Sequence, residues 1–238
     1  MTDNAHDVAR LLAHIRATID PDPAEWERWP GGWVGDIEAA LVDAVFSARA
    51  VYKPERGRGI HAQVVKWREA RHRLEYSLDA LLAEIDELGV EQWARNFGNR
   101  QRSPRRLESA PLGASKAAAV RQGASALREH GFNTALQINL GDVDYVKRAL
   151  QSVPGIGYAT ANYFLMLLGA PGVKPDRMIR RFLREALCRD VKDREAETLI
   201  RAAAVPLDVQ PHKVDHAIWR HESDRARWRD LTVEQINS

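Results

Sequence analysis

Apolar residues return every three to four positions along nearly all of this 238-residue chain, and the two-residue alternation of a half-buried strand is nearly absent. Val8, Leu11, Leu12 and Ile15 form one such stripe. Ile37, Leu41, Val42, Val45 and Phe46 form another behind Asp36, a residue type that caps helix starts. Ser77 caps a run reaching Ile85, with Gly89 as its stop, and Ser115 caps a run reaching His130, with Gly131 just past it. Further helices are predicted over 60–71, 90–97, 158–168, 176–187, 193–203 and 206–221, with two short ones started by Asn133 and Asp142. The expected fold is all-α, with about ten or more short helices. One cysteine, Cys188, permits no internal disulfide and no cysteine-ligated zinc or iron–sulfur site. No run approaches the roughly 18 apolar residues of a membrane span. The polar, acidic stretch 1–7 does not read as a signal peptide, so the expected compartment is cytoplasmic.

The 35 basic and 33 acidic side chains leave a net charge of +2, which by itself marks no polyanion binder. Their distribution is uneven. Residues 1–48 carry 3 basic and 9 acidic side chains, residues 49–130 carry 16 and 10, and residues 131–238 carry 16 and 14. An acidic start and a basic middle suit a polyanion partner, and solvated helix faces produce the same pattern.

One segment carries more than packing. Val153-Pro154-Gly155-Ile156-Gly157 separates two helical runs. Two glycines two apart permit a tight turn with positive φ and close backbone approach. The first amides of the next helix lack intrahelical partners and lie at the positive end of its dipole, which makes a phosphate site that needs no side-chain charge. Ile156 is placed to anchor the turn in the core. An ordinary helix–helix connection is the simpler reading of a bare Gly-x-Gly.

The turn is not bare. It is followed by Thr160-Ala161-Asn162-Tyr163-Phe164 and, one helix later, by Lys174-Pro175-Asp176-Arg177-Met178-Ile179-Arg180-Arg181-Phe182. Together these resemble the helix-hairpin-helix (HhH-GPD) superfamily of DNA glycosylases, and the hairpin looks particularly like that of the alkylpurine glycosylase branch. Weaker matches extend over most of the chain. Residues 44–49 resemble the early helix whose end inserts a residue into DNA. Ser115-Lys116-Ala117 resembles the start of the helix leading to the hairpin, and residues 214–219 resemble the closing helix. The resemblance implies a two-lobed HhH-GPD fold, with a helical barrel lobe over 36–169 and a second lobe joining 1–35 to 170–238. Asp176 is then expected at the cleft between lobes.

It also implies an activity: a monofunctional DNA N-glycosylase of base excision repair. The expected partner is double-stranded DNA containing a modified or mismatched base, bound by a monomer with no membrane involved. The base is flipped out of the stack. Asp176 stabilises the oxocarbenium-like charge as the N-glycosidic bond breaks, or orients the attacking water. A plain helix N-cap is the simpler role for Asp176, and the two roles coexist. Pro154, Gly155, Ile156, Gly157 and Thr160 form the phosphate grip, and Arg49 faces the gap or the orphaned base. Lys174, Arg177 and Arg180 are either phosphate contacts or a solvated face. No metal and no cofactor are implied, although a monovalent cation at the hairpin is compatible. Where bifunctional members carry a nucleophilic lysine, this chain has Ala159, which cannot attack a sugar; Lys174 is the amine nearest Asp176 in sequence. Two further readings use the same residues: a DNA-binding module without chemistry, which retention of Asp176 disfavours, and a nucleosidase on modified nucleosides.

Other features read as packing. His212 and His216 have ligand spacing, with Asp215, His221 and Glu222 nearby, but Val214, Ala217, Ile218 and Trp219 make the segment an amphipathic helix. Trp26, Trp29 and Trp33 are expected to plug the junction of the N- and C-terminal helices. Tyr52, Tyr158 and Tyr163 are expected in the core near the DNA-facing elements. Cys188 is expected on a buried helix face.

Overall fold

The computed structural model describes residues 2–19, 22–26, 31–50, 59–72, 75–102 and 115–236. Among them run eleven α-helices: α1 Thr2–Thr18, α2 Ile37–Phe46, α3 Ile60–Arg71, α4 Leu78–Leu88, α5 Val90–Phe97, α6 Lys116–Glu129, α7 Asp144–Gln151, α8 Tyr158–Leu167, α9 Arg177–Leu187, α10 Asp193–Ala204 and α11 Pro211–Ile236. A 3-10 turn, Ala135–Gln137, stands between α6 and α7. No helix among the described residues is long and apolar enough to cross a membrane.

Local signals place most helix starts. The side chains of Asp36, Ser77 and Ser115 each accept an amide of the first helical turn, from Ala39, Ala80 and Ala118. Two expectations shift. The short helix expected from Asn133 is the single 3-10 turn Ala135–Gln137, with Thr134 as its N-cap, because the Asn133 side chain serves α4: it donates to Asp79 Oδ2 at 2.8 Å and accepts the Asp79 N–H at 2.9 Å. The last helix begins at Pro211 and not at Pro206, since Asp208 adopts a left-handed φ of 52° that no helix tolerates.

The chain forms two compact units, Met1–Pro30 with Pro171–Ser238, and Gly31–Ala170. Residues 31–35 belong to the second unit, whereas the sequence reading joined them to the N-terminal segment. The backbone N–H of Trp33 donates to the Leu167 carbonyl at 2.6 Å, and its indole N–H donates to Asp43 at 2.8 Å. Trp33 therefore plugs no junction of terminal helices; it lies in the second unit, stacked on His61 at 4.6 Å. Trp26 is buried in the core of the first unit. Trp29 and Tyr52 lie outside the described residues.

In the first unit α1, α9, α10 and α11 pack on one another. The stripe of α9, Ile179, Phe182, Leu183, Ala186 and Leu187, is buried, while Arg177, Arg180 and Arg184 face solvent. Cys188 departs from expectation. The helix stops at Leu187, Cys188 takes a left-handed φ of 56°, and that reversal turns it away from the core. It is exposed, and its sulfur accepts from Arg10 Nη2 at 3.4 Å.

In the second unit α2 is buried on every side and touches α3, α4, α6 and α8. Its charges are matched, as buried charges must be. Asp36 accepts from Arg68 Nε at 2.6 Å. Glu38 accepts the Ser77 N–H at 2.8 Å and pairs with Arg71, which also meets Glu84 at 2.6 Å.

Candidate functional site

In the second unit α7, the turn at 152–157 and α8 form the helix-hairpin-helix. The Ile156 N–H donates to the Val153 carbonyl at 3.1 Å and closes the turn. Gly155 has φ 97°, the left-handed region where a side chain is strained. Gly157 has φ −98° and ψ −178°, an extended backbone open to any residue, so only one of the two glycines is required by the turn itself. Ile156 is buried as expected, and α6 makes room for it. A Cβ on Gly123 would stand 3.0 Å from Ile156 Cδ1. Gly157 is the N-cap of α8 and supplies no side-chain acceptor to the first turn. The start of α8 thus presents main-chain amides, with open space around the Gly157 α-carbon. Pro154 is exposed. Thr160 is buried at 8% exposure, so its hydroxyl is not offered to the surface beside the turn. Lys147, which the motif reading passed over, brings its ammonium to 5.7 Å from the centre of the Tyr158 ring. Only its charge and position on α7 signal it.

The same unit holds Arg49. The residue is exposed and has φ 55°, an arrangement that costs a non-glycine residue about 1–2 kcal/mol. Lys116, at the first position of α6, braces it. The Lys116 ammonium is buried and donates to the carbonyls of Phe46 at 2.8 Å and Ala48 at 2.7 Å, and to Gln101 Oε1 at 2.8 Å. The Phe46 carbonyl is one that the end of α2 leaves open, and the Ala48 carbonyl lies in the turn just beyond it.

In the first unit Asp176 caps α9. Its Oδ1 accepts the amides of Met178 at 2.7 Å and Ile179 at 3.3 Å, while its own N–H donates to the Lys174 carbonyl at 2.6 Å. Asp176 is half-buried, as is Lys174; Arg177 and Arg180 are exposed. Arg180 faces Asp193 at 3.4 Å, a surface pair of small worth. Asp215 of α11 is buried, and its Oδ1 accepts the Lys174 N–H at 3.0 Å. Burial pushes the Asp215 carboxyl well above the ordinary range, and the charge of Asp176 pushes it further. Burial also lowers His212 and His216, the second further lowered by the first, and His216 stacks on Trp219 at 5.9 Å.

The family model described as Domain of unknown function (DUF8548) matches residues 9–223 of the chain. No curated protein matches it. A solved structure of a trapped endonuclease III–DNA covalent intermediate, an estranged-adenine complex, is similar to it. The two share 18% identity over 87% of this chain and 84% of that one, with a TM-score of 0.55. At that identity the likeness gives the fold, and the fold is the all-α HhH-GPD fold of endonuclease III.

Proposed function

We propose that this chain, which belongs to the family described as Domain of unknown function (DUF8548), is a monofunctional DNA N-glycosylase that excises a damaged or mismatched base by hydrolysis. The observation that carries the reading is the seat of Asp176. Its carboxylate is tied to the start of α9 through Oδ1, so that Oδ2 is left for chemistry, in a chain with the fold of endonuclease III. Once the nucleotide is flipped, the C1′–N bond lengthens and both bonding electrons leave with the base. Positive charge grows on the sugar ring, and the Asp176 carboxylate stabilises it. Water adds its oxygen to C1′ and gives up a proton, and the departing base takes up one. The hairpin amides at the start of α8 hold a backbone phosphate, with the Lys147 charge in support. Arg49 occupies the space the base vacates. Ala159, half-buried in the first turn of α8, offers no amine at that position, and water is the attacking group.

The test is a panel of duplex oligonucleotides carrying uracil, alkylated purines, hypoxanthine and oxidised bases, with abasic products cleaved by alkali. Release of at least one base is expected. Asp176→Asn is expected to slow release on the order of 100-fold or more, and borohydride is expected to trap no covalent complex. Duplex binding without release from any substrate rejects the enzyme reading. An unchanged rate in Asp176→Asn rejects the site, and a trapped complex rejects the monofunctional mechanism.

A further inference from the structure

Asp215 has no part in the chemistry above. It is buried on α11 at 7% exposure, and it reaches 41 positions along the chain to accept the Lys174 N–H at 3.0 Å. The Lys174 carbonyl accepts the N–H of Asp176 at 2.6 Å, and Pro175 between them is buried. Asp176 then holds the amides of Met178 and Ile179. A continuous series of hydrogen bonds thus runs from the Asp215 carboxyl, through the backbone of residue 174, to the Asp176 carboxylate and into α9. A carboxyl is a costly means of satisfying one buried N–H, because a buried amide or hydroxyl would do so with less desolvation. Asp176 adds to that cost, because its charge disfavours a second carboxylate beside it, with Lys174 opposing.

We infer that Asp215 is a positioning residue for Asp176: by holding the Lys174 N–H it sets the path of residues 174–176, and with it the place of the Asp176 carboxylate against the sugar. The catalytic half of this rests on the glycosylase reading. The clamp is a property of the loop and stands apart from it.

Two variants separate the roles. Asp215→Asn keeps an oxygen that accepts the Lys174 N–H in nearly the same shape. Asp215→Leu keeps the volume and removes the acceptor; Asp215→Ala replaces it if Leu does not fold. The measurements are kcat and KM on whichever oligonucleotide the wild type cleaves, and amide exchange of residues 174–179. Asp215→Asn is expected to keep kcat within about 3-fold of wild type, since the backbone hydrogen bond survives. Asp215→Leu is expected to lower kcat on the order of 100-fold at unchanged KM, the effect of a misplaced catalytic group. Exchange at Lys174, Met178 and Ile179 is expected to quicken about 10-fold, the worth of one lost hydrogen bond, with α1 and α10 unaffected. Equal kcat in the two variants overturns the inference. So does a loss carried by KM, or exchange that quickens evenly through the unit, because either describes a merely structural residue. If the wild type releases no base, the glycosylase reading fails and the exchange measurement still decides the clamp: local quickening upholds it and unchanged exchange overturns it.

Discussion

The Lys116 ammonium donates to the carbonyl of Ala48 at 2.7 Å, one residue ahead of the exposed Arg49. A buried cation held by oxygen acceptors is a fastening that tolerates no conservative loss. Lys116→Met keeps the aliphatic stem and strips the donors, leaving the Phe46 and Ala48 carbonyls without them. Unfolding in urea is expected to show a loss of about 3 kcal/mol. A loss below about 1 kcal/mol contradicts the assigned bracing.

Gly155 and Gly157 are expected to respond differently to the same methyl group. Gly155→Ala forces a side chain into φ 97° and is expected to cost about 1–2 kcal/mol of stability. Gly157 is extended and its surroundings are open, so Gly157→Ala is expected to leave stability within about 0.5 kcal/mol. The added methyl projects into the open space beside the α8 amides and obstructs a phosphate there, so DNA affinity is expected to fall about 10-fold, on the order of one charge-assisted hydrogen bond. Thermal unfolding and fluorescence anisotropy on labelled duplex measure the two effects. Unchanged affinity in Gly157→Ala argues against a phosphate at the α8 start.

Gly123 spaces α6 from the hairpin. A methyl group there meets Ile156 Cδ1 at 3.0 Å and Leu41 Cδ1 at 3.3 Å. Gly123→Val is expected to destabilise by about 1–3 kcal/mol through overpacking. Ile156→Val is expected to restore part of the loss if the two residues are in contact, and a double-mutant cycle reads the coupling. Strict additivity contradicts the contact.

The first unit is expected to weaken in mild acid. His14, packed 4.6 Å from the Phe182 ring, is pushed below 6.5 chiefly by burial, and so is His216. A folded-state value below the unfolded one means that the folded state binds protons less readily. Their contribution is therefore full above pH 6.5 and is lost as pH falls through the folded values. Urea midpoints at pH 7.5, 6.5 and 5.5 should decline for the wild type. The decline should be shallower in a His14→Gln, His216→Gln double variant, and an equal decline in both proteins assigns it elsewhere.

The sequence was most legible where cause and effect lie within one helical turn. The caps at Asp36, Ser77 and Ser115, the stripe of α9 and the hairpin around Ile156 follow from residues at most a few positions apart. Lys116 was visible only as a motif letter, because its acceptors lie 15 to 70 positions away. Asp215 reads in sequence only as a neighbour of His212 and His216, because its partner is 41 positions off. Cys188 departs from its stripe by a single position: the apolar pattern continues in the sequence but ends in the structure where the backbone turns left-handed.

The division of the chain has a temporal consequence. Residues 31–170 are one uninterrupted stretch, so the unit bearing the hairpin and Arg49 can close as soon as it has been synthesised. The other unit is assembled from residues 1–30 and 171–238, and its first helix must wait, unpartnered, until nearly the whole chain exists. Asp176 is made well before Asp215. During that interval the nascent protein has its hairpin turn but lacks the Asp215 acceptor for the Lys174 N–H, so on the glycosylase reading the phosphate grip matures before the seat of Asp176.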